Sequence, residues 1–222
     1  MIQYFDTHAH YDSGKFNADR DEVLRAVHDS GVALVVDPGD SGVTSERAVA
    51  LAQAHDFVYA AVGWHPEEAD SWTDGSLAHI RALAAQPKVC AIGEIGLDYY
   101  WDASTKAKQE RMFRAQLELA LELDLPVIVH DREAHGDSLR IVCDYPALRG
   151  VFHCYSGSVE MARELLRRGW YLGFDGPITY KNAAKAPEVI AACPAERILL
   201  ETDSPYLAPV PNRGKRNDSR NL

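Results

Sequence analysis

The sequence predicts a closed barrel of eight parallel strands alternating with helices, the TIM-type (β/α)8 fold. Short apolar runs, of the kind that form buried parallel strands, recur throughout the 222 residues. Amphipathic stretches with helical spacing separate these runs. Histidines and carboxylates follow several runs directly, at the strand ends where such barrels collect their functional side chains. Together these three observations favour the barrel over other mixed folds.

Eight apolar runs are the candidate strands. They lie near residues 2–6, 32–36, 57–62, 88–93, 126–129, 150–152, 170–174 and 197–200. Seven helical stretches lie between them, which is the alternation of a barrel whose strands are all parallel. An open doubly wound sheet is the alternative arrangement of the same elements.

The helical stretches are recognised by their apolar spacing. Gly31 follows the first of them and Gly169 the sixth, where helices commonly end in a left-handed residue. The residues that define the apolar faces of the first, third, fourth and sixth helices are, in order, Val23, Leu24 and Val27; Leu77, Ile80 and Leu83; Phe113, Leu117, Ala120 and Leu121; and Met161, Ala162, Leu165 and Leu166.

No eighth helical pattern follows the last strand, which leads into residues 204–222, rich in Pro, Arg and Asn. No linker or repeat suggests a second domain, so residues 1–222 are expected to form one barrel domain that is short at its C-terminus. Without that helix, apolar surface should be exposed on the outside of the first and last strands. We therefore expect the chain to be incomplete or to cover this gap with a partner.

Composition limits the classes of function. A hydrophobic content of 46% is typical of a globular protein, and no apolar stretch is long enough for a membrane span. The residues after Met1 do not form a basic-then-apolar leader, which favours a cytoplasmic protein. Four cysteines without CxxC spacing are expected to be free thiols. A net charge of −10 argues against general coating of nucleic acid, but not against a nuclease with local cations.

The first strand ends in the sequence Asp6-Thr7-His8-Ala9-His10. Because side chains alternate along an extended backbone, the imidazoles of His8 and His10 point to the same side, together with Asp6. Such a pair forms a two-ligand site for a divalent metal. A structural histidine pair is the alternative interpretation of this motif alone.

Further ligand types follow other runs, and their joint occurrence strengthens the prediction. If the strands form a barrel, these side chains converge at one end, and we expect a metal-dependent hydrolase with two metals. Mixed imidazole and carboxylate ligands suit Zn, Mn or Fe, whereas Mg prefers oxygen ligands. The additional candidates are His65, Glu94, His130, His153 and Asp203.

The amino-acid sequence around these candidates resembles that of the TatD-type metal-dependent deoxyribonucleases of the amidohydrolase superfamily. The resemblance runs in order from the first strand to RGKRN at 213–217 and covers nearly the whole chain. The segments that carry it are DTHAH at 6–10, VGWHP at 62–66, GEIGLDY at 93–99, PVIVHDREA at 126–134, HCYSG at 153–157, TYKNA at 179–183 and ETDSPYL at 201–207.

The resemblance implies a closed barrel that hydrolyses phosphodiester bonds, commonly by removing nucleotides 3′-to-5′ from DNA. It also implies two divalent ions, Mg, Mn or Zn. His65 is implied to contact phosphate or a metal-bound water, or else to fix the loop before Pro66. The implied ligands are His8, His10 and Asp203 for one ion, Glu94 as the bridge, and His130 and His153 for the other.

The chemistry of phosphodiester cleavage suggests further roles. It needs activated water and neutralised phosphate oxygens, which a pair of metals bridged by Glu94 provides. Asp203 either deprotonates the water or serves as a ligand only. Arg132 holds a phosphate or anchors a carboxylate ligand, and Asp98 is close enough in sequence to orient a metal-bound histidine.

The remaining candidate contacts lie on loops expected at the same barrel end. Lys181 and Arg213 supply positive charge to a DNA substrate, or are solvated surface charges. Tyr99, Tyr100 and Trp101 stack on a terminal base, or pack the loop.

Two alternatives to a deoxyribonuclease stay open at this point. One is hydrolysis of another ester or amide, such as a D-aminoacyl-tRNA or a lactone, because relatives share the barrel and its ligands. Glu94 at the fourth strand argues against the carbamylated-lysine members that cleave cyclic amides. The other alternative is an inactive, truncated fragment of such an enzyme. The sequence predicts no oligomeric state.

Overall fold

A computed structural model of the chain describes residues 3–101 and 103–222. It contains one eight-stranded sheet in the order β1 to β8, with every neighbouring pair parallel. The strands are β1 (Tyr4–Asp6), β2 (Val32–Pro38), β3 (Val58–Val62), β4 (Val89–Asp98), β5 (Val127–Arg132), β6 (Gly150–Phe152), β7 (Tyr171–Phe174) and β8 (Ile198–Leu200). Residue 2 of the first predicted strand lies outside the described residues.

One α-helix lies between each successive pair of strands, so the predicted TIM-type (β/α)8 alternation is confirmed and the doubly wound order is excluded. None of the helices in the described ranges combines the length and the apolar character that a membrane crossing requires. The helices are α1 (Arg20–Asp29), α2 (Gly42–Ala54), α3 (Ser76–Ala84), α4 (Lys106–Glu122), α5 (His135–Cys143), α6 (Val159–Arg167) and α7 (Ala186–Ala192).

The helices pack on the sheet through the predicted apolar faces. Leu24 and Val27 of α1 and Leu165 of α6 are fully buried. The prediction for Leu121 in α4 was wrong, since this side chain is 38% exposed. The α4 face that turns inward instead continues from Leu117 to Ala120, and Leu121 lies one position past it.

A separate apolar cluster made only of strand residues fills the barrel interior. Its buried members are Val36, Ala61, Ala91, Ile128 and Val151, one from each of β2 to β6. These side chains are 0–6% exposed, so the interior is packed and does not form a pore. Polar side chains are therefore confined to the ends of the barrel.

Three strands continue further than the sequence predicts, and two of them carry functional candidates. β2 was expected to end at 36 and ends at Pro38. β4 was expected to end at 93 and β5 at 129, yet Glu94 and His130 both lie inside strands. The ladder between them persists because Gly96 pairs with His130 and Asp98 with Arg132. The ladder thus holds His130 directly, and the Glu94 backbone N–H donates to the Gly39 carbonyl just past β2 at 3.1 Å.

Backbone hydrogen bonds just beyond β1 and β8 close the cylinder. Thr7 donates its N–H to the Leu200 carbonyl at 3.1 Å, and Asp203 donates to the His8 carbonyl at 2.9 Å. A further parallel bridge joins Ala9 to Ser204. The two strands therefore meet through the same short segments that carry candidate ligands.

The buried carboxylate of Asp6 strengthens this closure. It accepts hydrogen bonds from the Thr202 backbone N–H at 3.1 Å and the Thr202 hydroxyl at 2.6 Å. Burial is the main reason that the pKa of Asp6 rises to about 7. Asp6 was expected beside the two histidines, but its side chain serves the junction with the segment after β8.

No α-helix follows β8 in the described part of the chain, which instead ends in a short 3-10 turn at Ser219–Asn221. This segment returns to the start of the barrel, where the Tyr11 hydroxyl lies 2.7 Å from the Ser219 hydroxyl. Large apolar side chains of the first and last strands are exposed. They are Tyr4 and Phe5 of β1 and Leu200 of β8, with 40–46% of their surface accessible.

Replacing Gly96 by Ala should destabilise the barrel by about 3 kcal/mol or more. Gly96 has φ +144°, and an added Cβ would lie 2.0 Å from the His130 carbonyl oxygen. Urea denaturation measures the effect. Gly136→Ala in α5 is the control, because nothing lies within 4 Å of its added Cβ. Equal stability of the two variants would contradict this prediction.

Candidate active site

The Glu94 carboxylate is 4% exposed and lies at the carboxyl end of the barrel, with each oxygen facing a different group of imidazoles. Its Oε1 is 2.9 Å from His130 Nδ1 and 2.9 Å from His153 Nε2. His65 Nε2 lies 3.6 Å from the same oxygen. These histidines come from β5 and from the segments that follow β6 and β3. Three separate strand ends therefore converge on one carboxylate oxygen.

The second oxygen of Glu94 faces the residues that follow β1 and β8. Oε2 lies 3.3 Å from His8 Nε2 and 3.7 Å from His10 Nε2. Asp203 Oδ1 is 3.5 Å from His10 Nε2 and 3.8 Å from His8 Nε2. The rings of His8 and His153 stack with their centroids 3.8 Å apart. All six sequence-predicted ligands therefore meet in one cluster.

Protonated imidazoles offset the negative charge of the carboxylates in this cluster. Burial alone would raise the pKa of Glu94, but the neighbouring histidines, His153 and His8 foremost, hold it well below 4.5. Burial alone would lower the pKa of His153, yet Glu94 and Glu201 raise it well above 6.5. His8 differs, because burial and the charge of His153 lower its pKa. Such close packing of titratable groups is typical of a site that binds a cation.

Asp98 contacts the ring nitrogen of His130 that faces away from Glu94. Its Nε2 lies 3.0 Å from Asp98 Oδ2, while its Nδ1 faces Glu94. Burial would lower the pKa of His130, but these two carboxylate contacts raise it to about 9. The hydrogen bond to Asp98 agrees with the orienting role that the sequence suggests, since such a partner fixes the ring and makes it more basic.

Glu201 is a site residue that the sequence analysis missed. It is 3% exposed, its Oε1 lies 3.5 Å from His153 Nδ1, and it accepts the Cys154 backbone N–H. Gly173 of β7 leaves the room for it, because a Cβ there would lie 2.3 Å from Glu201 Oε2. The spacing of two residues between Glu201 and Asp203, like that between His8 and His10, is the signal that could have identified it.

A cavity of about 680 Å³ opens above the cluster, which is within the usual range for ligand sites. Its charged lining beyond the imidazoles is mostly acidic, with Arg132 as the single Lys or Arg among the described lining residues. The sequence analysis also missed Asp40 and Tyr206, which line it. The lining residues are His10, Asp40, His65, Glu67, Glu68, Glu94, Trp101, His130, Asp131, Arg132, His153, Cys154, Ser156, Pro177, Asp203, Tyr206 and Leu207.

The four predicted substrate contacts divide into two pairs. His65 and Arg132 line the cavity. Lys181 and Arg213 are exposed and are not among its lining residues, although they follow β7 and β8 as expected. The Arg213 guanidinium instead lies 4.3 Å from the Tyr180 ring centroid. Strand order placed these loops at the correct end of the barrel, but it did not determine how far each side chain lies from the cavity.

The donor set fits divalent metals. Ligand atoms of His8, His10 and Glu94 lie within 4.8 Å of one another, and the same holds for His65, Glu94 and His130. Imidazole nitrogens combined with carboxylate oxygens suit first-row divalent ions. Among the described residues, the buried Nδ1 atoms of His8 and His153 have no hydrogen-bond partner.

A family model described as "TatD related DNase" matches residues 5–222. The chain belongs to this family. Membership agrees with the resemblance of the sequence motifs and with the observed barrel.

Similar proteins are found among both curated sequences and solved structures. The uncharacterized metal-dependent hydrolase YabD of Bacillus subtilis is 45% identical over 216 residues, which is 96% of this chain and 85% of YabD. The 3'-5' ssDNA/RNA exonuclease TatD of Cronobacter sakazakii is 40% identical and covers 92% of this chain and 79% of its own. The crystal structure of YjjV, a TatD homolog from Escherichia coli, superposes with a TM-score of 0.92 at 34% identity, covering 98% of this chain and 85% of YjjV.

Binding of a divalent metal should release protons at neutral pH. His130, with a pKa of about 9, is protonated at pH 7 in the metal-free protein and must lose that proton to become a ligand. Apparent affinity should therefore rise up to about tenfold per pH unit for each released proton until pH approaches 9. Calorimetric titration with Mn²⁺ in two buffers of different protonation enthalpy measures the release. Identical heats in both buffers at pH 7 would contradict it.

Proposed function

We propose that this protein is a metal-dependent exonuclease that hydrolyses phosphodiester bonds of single-stranded DNA from the 3′ end. The observation that carries the proposal is the Glu94 carboxylate, whose two oxygens face two separate groups of imidazoles. This is the arrangement that a carboxylate bridging two metals needs. The printed name of the Cronobacter relative, an ssDNA/RNA exonuclease, supports the substrate class.

The two groups suggest two sets of ligands. His8, His10 and Asp203 would hold one divalent ion, and His130 and His153 the other. Glu94 would contribute one oxygen to each. The ions would supply Lewis-acid activation of water and neutralise the phosphate. Zn, Mn and Mg are the candidates, and the number of imidazoles favours Zn or Mn.

The acidity of the cavity supports a requirement for cations. Asp40, Glu67 and Glu68 line it in addition to Glu94 and Asp203. A phosphodiester carries negative charge, so these carboxylates would repel it from a metal-free cavity. Neutralising the cluster is therefore a condition for binding substrate as well as for cleaving it.

Three residues would contribute to the reaction in ways other than binding a metal ion. Asp203 lines the cavity, and contacts with His10 outweigh its burial and lower its pKa. It is therefore ionised at neutral pH, and its unprotonated oxygen would take the proton of the attacking water. His65 Nδ1 accepts the Glu67 backbone N–H at 3.2 Å, which leaves its Nε2–H to donate toward a phosphate. Arg132 supplies fixed positive charge at the mouth.

The proposal also includes a cytoplasmic location. All four cysteines are free. Unpaired thiols are typical of proteins in a reducing compartment.

Glu94→Gln should abolish both binding of the second metal and nuclease activity. The amide would be neutral and would keep only one oxygen, so the loss should exceed the roughly 10–100-fold typical of a residue that only contacts the ligands. Metal content by mass spectrometry and release of nucleotides from end-labelled single-stranded DNA measure the two effects. Glu67→Gln, which removes the same charge from the same cavity, should keep two equivalents of metal and most of the activity.

Wild-type turnover in Glu94→Gln would show that the activity belongs to a contaminant or another site. Two equivalents of metal in the native protein without turnover on DNA would contradict the proposed reaction and favour the inactive fragment. Parallel assays on D-aminoacyl-tRNA and simple lactones test the other hydrolase activities.

Asp203→Asn should retain metal and lose turnover by about 10²–10⁴-fold, because an amide keeps an oxygen ligand but cannot accept the proton. The measurements are metal content and single-turnover cleavage of DNA. Retained turnover would remove Asp203 from the role of base. Loss of the metal together with the activity would show that Asp203 acts as a ligand only.

A further inference from the structure

Two aromatic side chains are exposed at the rim of the cavity. Trp101 has 64% of its surface accessible, the highest value among the large apolar side chains of the described residues, and Tyr100 has 54%. Trp101 lines the cavity. Exposed aromatic surface beside a site is costly in water, and it commonly marks a place where a ligand binds.

Tyr99, the third aromatic of this segment, makes its contacts within the protein. Its hydroxyl donates to Asp137 Oδ2 at 3.1 Å, and Lys106 Nζ lies 3.9 Å from its ring centroid. Tyr99 is half-buried and packs the loop. The sequence offered stacking or packing for all three aromatics, and the structure leaves two of them open to solvent.

The exposed pair is fixed to the catalytic cluster through one carboxylate. Asp98 Oδ1 accepts the backbone N–H of Tyr100 at 2.9 Å and of Trp101 at 3.3 Å. The other oxygen, Oδ2, lies 3.0 Å from His130 Nε2. The side chain of Gln109 in turn bonds the backbone N–H and carbonyl of Asp98. The aromatic pair is therefore held at a set position relative to His130, which lowers the entropic cost of binding a ligand there.

Arg132 lies against the same pair. Its guanidinium is 3.9 Å from the Tyr100 ring centroid and 5.3 Å from that of Trp101. Within residues 3–101 and 103–222 it forms no ion pair, so its donors are open to a ligand. An aromatic face next to a guanidinium presents the two features that a nucleotide recognises, a stacking surface and a phosphate partner.

We propose that Trp101 and Tyr100, together with Arg132, form a subsite for one unpaired nucleotide of the substrate, whose base stacks on the exposed rings while its phosphate meets the guanidinium. This inference rests on the proposed function for the class of substrate. It assigns the preference for single strands to this subsite, because a base stacked in a duplex cannot also stack on the protein. Selection among the four bases is weak, since every base has an aromatic face.

Binding of protected oligonucleotides tests the subsite. The probe is a labelled single-stranded DNA whose 3′-terminal linkages are phosphorothioates, which slow cleavage, in the presence of Mn²⁺. Trp101→Leu keeps apolar bulk but removes the aromatic face, and should weaken binding about tenfold. Trp101→Phe should bind close to the native protein. Tyr4→Leu, which removes an exposed ring of β1 that does not line the cavity, should not change affinity.

A matched substrate separates stacking from other effects. In the second probe, stable abasic residues replace the three terminal nucleotides, so the phosphates remain and the bases are absent. The native protein and Trp101→Leu should bind this probe equally, whereas Arg132→Gln should weaken binding of both probes. If Trp101→Leu weakens binding of the two probes equally, or of neither, the proposed subsite is wrong.

The outcomes of this test and of the proposed reaction are distinguishable. Base-dependent binding through Trp101 without hydrolysis would keep the subsite and reject the exonuclease. Hydrolysis with unchanged affinity in Trp101→Leu would keep the exonuclease and reject the subsite. In cleavage assays, Trp101→Leu should lower kcat/KM on single strands about tenfold and leave duplex ends unaffected, so that the preference between them falls by the same factor.

Discussion

One buried carboxylate shared between two groups of imidazoles organises this protein. Glu94 is within 3.7 Å of five histidines from four separate segments of the chain, and no other charge in the barrel end has as many such partners among the described residues. The carboxylate would be too costly to bury alone, and the imidazoles would repel one another if all were protonated. Each group is tolerated because the others are present, so the site forms as a unit or not at all.

The fold supplies what this cluster needs. β4 and β5 extend past their apolar runs, so that His130 pairs with Gly96 in the ladder and the Glu94 N–H donates to the Gly39 carbonyl. Behind the cluster, Asp98 and Glu201 lie 3.0 and 3.5 Å from the ring nitrogens of His130 and His153 that do not face Glu94. The interior below is filled by apolar side chains, which keeps the low dielectric under the site and strengthens its electrostatic interactions.

The fold and the convergence of the candidate ligands could be predicted from the sequence because each follows from a general rule. Apolar runs alternating with helical spacing predict parallel strands, and the carboxyl ends of parallel strands lie together, so the convergence of His8 with His153 follows once the sheet closes into a barrel. Loops do not follow such rules. The distance of Lys181 from the cavity and the divided contacts of Asp98 depend on loop geometry that no periodicity encodes. Glu201 was missed because its contact with His153 depends on how the segment after β8 packs against the segment after β6, which no sequence pattern encodes.

The closure of the cylinder has a consequence for biosynthesis. His8 and Asp203 stand on either side of the seam, joined by the bond between the Asp203 N–H and the His8 carbonyl. His8 and His10 follow the first strand and Asp203 follows the last, so candidate ligands nearly two hundred positions apart in the sequence meet at this seam. A growing chain has no complete cluster until its last strand has docked.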